Sequence, residues 1–238
     1  MRFVSAITIA CLVLLAGPAS AEWFADVYVG QSFTKDSDVT VHGGPGQTVF
    51  GDVEFERSLA YGGRFGRYFD AVPFLGLGVD VFNFSAPVGS QTTRVEGCLP
   101  SGGCGGGQGN PKRIDIDSFA VSLDLMLRLP LIKTKTAPYG ALQPYVAAGA
   151  PFFMTTVTPR TTAQFSNHED DTDYSFGYKV AGGLAFHIAR NLMFFGEYRL
   201  THVQISVDEL RAVDGRHHAR LKTDLDTHSA LVGLSARW

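Results

Sequence analysis

The stretch "NLMFFGEYRLTHVQ", residues 191–204, combines a strongly apolar set of side chains with two charges. Glu197 and Arg199 lie two residues apart, which places both on the same face of a β-strand. Charges at that spacing on a buried face are costly unless each one is paired. The fold therefore depends on which face of this strand meets an apolar environment.

The same alternation of period two recurs along the chain and predicts eight β-strands. The segments are 23–33, 58–66, 74–82, 118–129, 142–157, 176–188, 191–204 and 226–238. Within the fifth segment, Pro144 can open a strand, whereas Pro151 predicts a bulge or an unpaired position. The sequence predicts no long helix and no domain boundary.

Apolar residues occupy one face of each segment, and small and charged residues occupy the other. The charged members of the second face are Asp26, Arg64, Asp80, Asp124, Arg128, Lys179, Glu197 and Arg199. Leu, Val and Phe outside with small and charged residues inside is the arrangement of a membrane barrel, and a soluble ligand-binding barrel shows the reverse. Equal numbers of acids and bases predict a pairing network in the lumen. An exposed ion pair on a soluble sheet is the alternative for Glu197 and Arg199.

Residues 1–21 have the pattern of a secretory signal peptide, because Arg2 precedes an apolar run and Ala19-Ser20-Ala21 supplies a cleavage site. We expect residues 22–238 to form one domain. The formal charge of −3 becomes −4 once Arg2 is removed, which argues against nucleic acid as a partner. After the signal no apolar stretch approaches the length of a membrane helix, so insertion requires a closed β-barrel.

The connections between the segments alternate in length. Those at 34–57, 86–117, 158–175 and 206–225 are long and polar, and those at 67–73, 130–141 and 189–191 are shorter. This pattern predicts an eight-stranded antiparallel transmembrane β-barrel, an up-and-down meander with four long extracellular loops. Ten strands are the alternative if 86–117 contains a hairpin. Aromatic belts are expected from Trp23, Tyr68, Phe194 and Trp238 at the periplasmic side and from Phe33, Phe119 and Phe176 at the other.

Several stretches resemble the small bacterial outer-membrane β-barrels, the OmpA-type barrel and its porin-like relatives. They are "RLPL" leading into "QPYVAAG", "FGYKVAGGLAF", "FFGEYRLTH" and the terminal "LVGLSARW". The resemblance covers the chain after the signal and implies a location in the outer membrane of a Gram-negative envelope. The last strand resembles the signal read by the barrel-assembly machinery, through Gly233, Leu234, Ala236 and Trp238, although a larger residue than Ala236 is usual there.

Cys98 and Cys104 lie in "CLPSGGC". An exported chain reaches a compartment in which disulfides are stable, so a bridge within this loop is expected. Two free thiols are the alternative. The Gly-rich stretch 104–111 is interpreted as a flexible surface loop. The carboxylates of 167–173 lack the ordered spacing of a calcium loop, so neither a metal nor a cofactor is predicted.

Catalysis is not predicted, because no candidate has the required geometry. His228 and Ser229 lie on opposite faces of one strand, and Gln204 occupies the place between His202 and Ser206 where a deacylase would carry its serine. The sequence favours a non-enzymatic protein with a structural and surface-interaction role through its loops. A narrow porin-like channel for small solutes is the alternative, and a lipid-modifying hydrolase is a more distant one.

The expected partners follow from this location. They are outer-membrane lipids, lipopolysaccharide, the barrel-assembly machinery and an extracellular ligand or host molecule at the loops, with no nucleic acid. Lipopolysaccharide phosphates are expected to contact the basic residues Arg211, Arg216, Arg220 and Lys222.

Overall fold

A computed structural model of the chain describes residues 22–43, 46–98, 103–109, 114–132, 140–159, 171–211 and 218–238. The expected signal peptide, residues 1–21, lies outside these ranges. The described residues form twelve strands, β1 (Trp23–Thr34), β2 (Ser37–Gly43), β3 (Gly46–Val53), β4 (Ser58–Tyr68), β5 (Leu75–Ser85), β6 (Thr93–Cys98), β7 (Cys104–Gly109), β8 (Ile114–Arg128), β9 (Leu142–Pro159), β10 (Asp171–Ala189), β11 (Leu192–Arg211) and β12 (His218–Arg237). No helix within these ranges is long and apolar enough to cross a membrane.

Eight of the strands form a closed antiparallel barrel. Their order is β1, β4, β5, β8, β9, β10, β11 and β12, and β12 pairs back with β1. Each of the eight segments expected from the alternation matches one of these strands and runs past its bounds by one residue at most, so the predicted barrel is confirmed. Cross-strand partners followed once around the barrel from Thr227 lead back to β12 at Arg237, ten residues later. This stagger requires strands that are strongly tilted to the barrel axis.

The other four strands form a sheet outside the barrel. The β2–β3 hairpin lies within the connection 34–57, and the β6–β7 hairpin lies within 86–117. The outer end of β12 pairs with β2, and β3 pairs with β6, so the sheet continues in the order β12-β2-β3-β6-β7. The hairpin in 86–117 exists, but the ten-stranded alternative is wrong because β6 and β7 do not enter the barrel. The flexible-loop interpretation of 104–111 is also wrong for 104–109, which is β7.

Strand length differs greatly around the barrel. Strands β1, β4 and β5 contain 12, 11 and 11 residues, whereas β9 to β12 contain 18, 19, 20 and 20. A tilted transmembrane strand needs only about 9–11 residues. Strands β9 to β12 therefore continue beyond the membrane at the end that carries the long connections, here called the outer end. Much of 206–225, expected to be a loop, is strand.

The opposite end, here called the inner end, holds the short turns and closes the ring. The backbone N–H of Trp23 donates to the carbonyl of Trp238 over 2.9 Å, and the ring of Trp23 stacks on Phe65 with 5.4 Å between centroids. Tyr68 was expected in the aromatic belt here, but it is buried in the lumen with 2% of its surface exposed. Its position in β4 gives it the inward parity of Arg64.

The outer surface of the barrel wall is apolar, as the sequence pattern requires for lipid contact. Val27, Leu123 and Phe176 are 64%, 62% and 76% exposed. Pro151 interrupts the β9–β10 ladder, because pairing passes from Phe176 and Phe152 to Lys179 and Gly149 with no bridge between. The register is unchanged across that gap, so Pro151 is unpaired on its β10 side and does not form a bulge, while on its other side it is the cross-strand partner of Ser122 in β8.

Candidate functional site

Seven charged side chains fill the middle of the barrel interior. This charged layer consists of Asp26, Arg64, Asp80, Asp124, Lys179, Glu197 and Arg199, all of them buried. They come from six strands, β1, β4, β5, β8, β10 and β11, at positions whose side chains alternate inward. The pleat therefore brings residues that are far apart in sequence to one level of the lumen.

Arg64 and Glu197 form a short ion pair across the lumen. Nη2 of Arg64 lies 2.5 Å from Oε2 of Glu197, and the other carboxylates near Arg64 lie at 3.8–4.0 Å. Arg199 binds the second oxygen of Glu197, with Nη2 at 2.8 Å from Oε1. Tyr145 donates its hydroxyl to Oε2 over 2.9 Å. The two charges in the opening stretch, Glu197 and Arg199, are thus paired with each other and held by neighbours on other strands.

Asp80 is a second centre of the charged layer. Nζ of Lys179 lies 2.5 Å from Oδ2 of Asp80 and 2.7 Å from Oδ2 of Asp124, so one ammonium joins two carboxylates. Nη2 of Arg199 lies 3.0 Å from the same Asp80 oxygen. Tyr28 donates to Oδ1 of Asp80 and accepts from Nη1 of Arg199. Such charge-assisted contacts offset the cost of burying each ion.

Arg128, the eighth charged residue expected in the lumen, belongs to a separate group at the inner end. This inner-end cluster consists of Glu22, Arg128 and Arg237. Nη2 of Arg128 lies 2.5 Å from Oε2 of Glu22, and its guanidinium lies 3.7 Å from the ring centroid of Tyr68. Sequence analysis missed Glu22 and Arg237, although both have the inward parity of Asp26 and Ser235. Extending the first segment by one residue would have found Glu22, and Arg237 already lies on the inward face of the last segment, 226–238.

Above the charged layer the interior becomes apolar. This apolar layer consists of Phe82, Phe84, Ile116, Phe153, Val157, Val203, Ile205 and Leu225, all buried. Phe82 marks the transition, because Lys179 and Arg199 lie 5.0 and 4.9 Å from its ring centroid. Phe153 packs against Phe82 and Phe84 edge to face. The middle of the lumen is therefore filled mainly by ions, and its outer part mainly by aromatic and aliphatic side chains.

One glycine of the expected assembly signal has a clear packing reason. A Cβ added at Gly233 would lie 2.5 Å from the ring of Phe195 and 2.4 Å from the carbonyl oxygen of Val27. Gly233 therefore allows the Phe195 ring to lie against β12. Leu234, Ala236 and Trp238 alternate with it and face outward.

The histidines considered for catalysis lie on the outer surface. Nδ1 of His202 is 2.7 Å from Asp226, and its ring stacks on Tyr178, whereas His228 is bonded to the hydroxyl of Tyr198. Ser229 is buried and points inward. A His–Asp pair is thus present, but among the described contacts no serine hydroxyl joins it.

The remaining candidates lie at the outer end of the barrel or outside the described ranges. Cys104 is disulfide-bonded, and Cys98 is its cross-strand partner in the β6–β7 hairpin. Arg220 and Lys222 are exposed on the outer half of β12. Arg216 and the residues 167–170 lie outside the described ranges. No group of three or more His, Cys, Asp or Glu in the described part of the chain is arranged to hold a metal ion.

A closed barrel with an apolar outer wall and an ion-filled interior defines an integral membrane β-barrel protein. The chain belongs to the outer membrane protein beta-barrel domain family, whose model matches residues 7–237. This membership implies an outer-membrane location.

Solved structures with the same fold have little sequence in common with this chain. Neisserial surface protein A matches with 10% identity and a TM-score of 0.51, covering 92% of this chain and 100% of that one. OprG from Pseudomonas aeruginosa matches with 14% identity and a TM-score of 0.55, covering 92% and 96%. The Escherichia coli outer membrane protease OmpT matches at 9% identity, with coverage of 93% and 99%, but its TM-score of 0.40 carries no argument about activity. A search of curated proteins found no match.

Proposed function

We propose that this protein is a non-enzymatic surface protein whose barrel anchors an extracellular sheet and does not conduct solutes. The observation that carries this proposal is the filled interior. The buried charges number five acids and five bases, counting Glu22 and Arg237 with the predicted eight, and the apolar layer lies directly above them. A solute would have to break several buried ion pairs and then pass between packed aromatic rings.

The extracellular sheet supports an interaction role. Strands β2, β3, β6 and β7 extend the outer half of β12, and the exposed Arg94–Glu96 pair lies on one face of the sheet. A rigid sheet held by hydrogen bonds to a membrane-anchored strand presents a defined surface, as binding elements on a scaffold commonly do.

Ion conductance in a planar bilayer tests the closed lumen. The chain without residues 1–21, refolded and inserted, is expected to give no single-channel steps, and Glu197→Ala is expected to be equally silent because the remaining side chains still fill the lumen. Protease resistance of the membrane-embedded strands establishes insertion in both cases. Steady steps whose size or ion selectivity changes in Glu197→Ala would instead support a narrow channel.

The hydrolase alternative has a separate test. His202 is expected to serve a structural purpose through its contacts with Asp226 and Tyr178, so neither lipid A nor phospholipid should be hydrolysed by the refolded protein. Acyl-chain release that disappears in both His202→Ala and Ser206→Ala would overturn the non-enzymatic assignment. Release that persists in both variants would identify a contaminating activity.

Lipopolysaccharide is the proposed lipid partner at the outer end. Arg220 and Lys222 lie where phosphate groups of the outer leaflet accumulate, and cations near an anionic surface are favourable by about 1 kcal/mol each. Added lipopolysaccharide should therefore raise the melting temperature of the refolded barrel, and the double variant Arg220→Gln, Lys222→Gln should lose much of that rise. Arg94→Gln is the control, since Arg94 lies on the sheet away from β12.

A further inference from the structure

Two arginines, one in β4 and one just before it, lie over aromatic rings of the neighbouring strand β1. Cζ of Arg67 is 5.6 Å from the ring centroid of Trp23, and Cζ of Arg57 is 5.2 Å from that of Phe33. Arg67 lies near the inner end of β4, and Arg57 immediately precedes its outer end. Ten residues separate the two arginines, and ten separate the two aromatic residues on β1.

The wall between the two arginines is apolar on its outer face. Leu59, Tyr61 and Phe65 on β4 are exposed there, together with Val27 and Val29 on β1. A length of about ten residues matches one tilted crossing of the hydrocarbon region. Arg57 and Arg67 therefore mark the two boundaries of the membrane on this side of the barrel, with Arg67 at the inner one.

Arg67 differs from the arginines inside the barrel in its contacts. Arg64 and Arg128, whose side chains point into the lumen, each contact a carboxylate at 2.5 Å. Within the described part of the chain Arg67 makes no ion pair, and its Nε is shielded from solvent without a hydrogen-bond partner. A guanidinium on a lipid-facing surface at the membrane boundary is complementary to a phosphate, which it can bind with two parallel hydrogen bonds.

The aromatic rings around Arg67 complete a site for a lipid headgroup. Trp23 stacks on Phe65, and Phe65 contacts Trp238 with 6.3 Å between ring centroids. We infer that Arg67 and this aromatic group bind an anionic glycerophospholipid of the periplasmic leaflet, with its phosphate at the guanidinium and its acyl chains along Phe65. A zwitterionic headgroup carries an ammonium that weakens the attraction, so the site selects for net negative charge.

Tryptophan fluorescence provides a local measurement, because Trp23 and Trp238 are the two tryptophans of the chain and both lie at this site. The refolded protein is placed in phosphatidylcholine vesicles that contain a brominated lipid, either phosphatidylglycerol or phosphatidylcholine. Bromine quenches tryptophan at short range, so the quenching curves give the relative affinity for the two lipids. The expected preference for brominated phosphatidylglycerol is about fivefold, and it should fall at high salt.

Three variants test whether Arg67 causes the preference for phosphatidylglycerol. Arg67→Gln should quench equally with both lipids, Arg67→Lys should keep an intermediate preference because the charge remains, and Arg57→Gln should behave as the wild type because Arg57 is at the opposite boundary. Far-ultraviolet circular dichroism establishes that each variant has refolded. Equal quenching in the wild type, a preference that high salt leaves unchanged, or a preference retained in Arg67→Gln would overturn the inference.

Discussion

The inner half of β11 places Glu197 and Arg199 in the lumen and Phe194 and Tyr198 against lipid, whereas its outer half places Val203 and Ile205 inside. The same inversion occurs on β12, where outward residues change from Val232 and Leu234 to Asp224 and Lys222. Thr201 and Thr227, which are cross-strand partners, lie at the change. The inner half is thus organised for a surrounding hydrocarbon, and the outer half is organised for surrounding water.

One continuous strand can therefore cross from lipid into water without a break in its backbone. In the hydrocarbon region apolar side chains on the outer face are surrounded by lipid, so the hydrophobic effect does not drive them into the interior. The lumen can therefore hold paired ions. Beyond the membrane the exposed face must be polar, so the apolar side chains turn inward and form a core like that of a soluble sheet. Side chains continue to alternate between the two faces of the strand, but the apolar face changes from the outward one to the inward one.

The largest expected effect is in the inner half. Arg64→Ala removes the cation that lies 2.5 Å from Glu197 and within 4.0 Å of three further buried carboxylates, so the free energy of unfolding should fall by about 3–5 kcal/mol. Urea titration of the refolded protein in vesicles measures it. Arg94→Ala is the matched control: it breaks an exposed ion pair with Glu96, and no measurable change is expected. Similar losses in the two variants would contradict a difference between buried and exposed pairs.

A charge on the outer surface locates the boundary between the two halves. Val232→Arg puts a cation into the apolar wall of β12, and its expected cost is about 2–4 kcal/mol in vesicles. Gln204→Arg, placed above the inversion on β11, should leave the free energy of unfolding unchanged. If both variants were equally destabilised, the membrane would extend past His202 and the polarity change would not mark its edge.

The apolar layer of the outer half should respond like a soluble core. Ile205 is fully buried, and Ile205→Val removes one methylene group, so a loss of about 1 kcal/mol is expected. Gln204→Ala, at the neighbouring outward position, serves as the control and should stay within about 0.5 kcal/mol of the wild type. A neutral Ile205→Val would show that this layer is loosely packed.

The smallest expected effect is confined to the sheet outside the barrel. Cys104→Ser removes the disulfide from the β6–β7 hairpin, so amide hydrogen exchange in 104–109 should accelerate, while exchange in the inner half of β11 stays the same. The free energy of global unfolding should not change, because β7 pairs with β6 alone among the described strands. Faster exchange throughout the barrel would contradict this independence.

Sequence alternation was sufficient to predict the barrel and insufficient to predict the sheet outside it. The eight charged residues expected inside are there because parity along a strand fixes the face on which each side chain lies. No such rule predicts that the outward face changes from apolar to polar at His202. The sequence "HVQIS" is equally consistent with the end of a strand and with the start of a polar loop. Strand β7, "CGGGQG", has almost no side chains, so its pairing with β6 leaves no alternation to detect.

Individual partners in the lumen also could not be read from parity. The contact of Arg64 with Glu197 spans the barrel from β4 to β11 and depends on stagger, which is set by all eight strand pairings together. Tyr28 and Tyr145 were assigned no role from sequence, yet their hydroxyls bind Asp80 and Glu197. For Tyr28 the available signal was its place on the same strand face as Asp26 and Gly30.

The hydrogen bonds between Trp23 and Trp238 close the barrel into a ring, so the strand pairings do not depend on which strand comes first in the chain. A circular permutant could therefore join residues 22 and 238 by a short linker and begin instead between β9 and β10. All eight strand pairings would persist, so such a chain should refold in detergent. It would, however, no longer end on the strand that contains Gly233 and Trp238. The expected assembly signal would then lie inside the chain, so the permutant tests the position of this strand in membrane insertion separately from its part in folding.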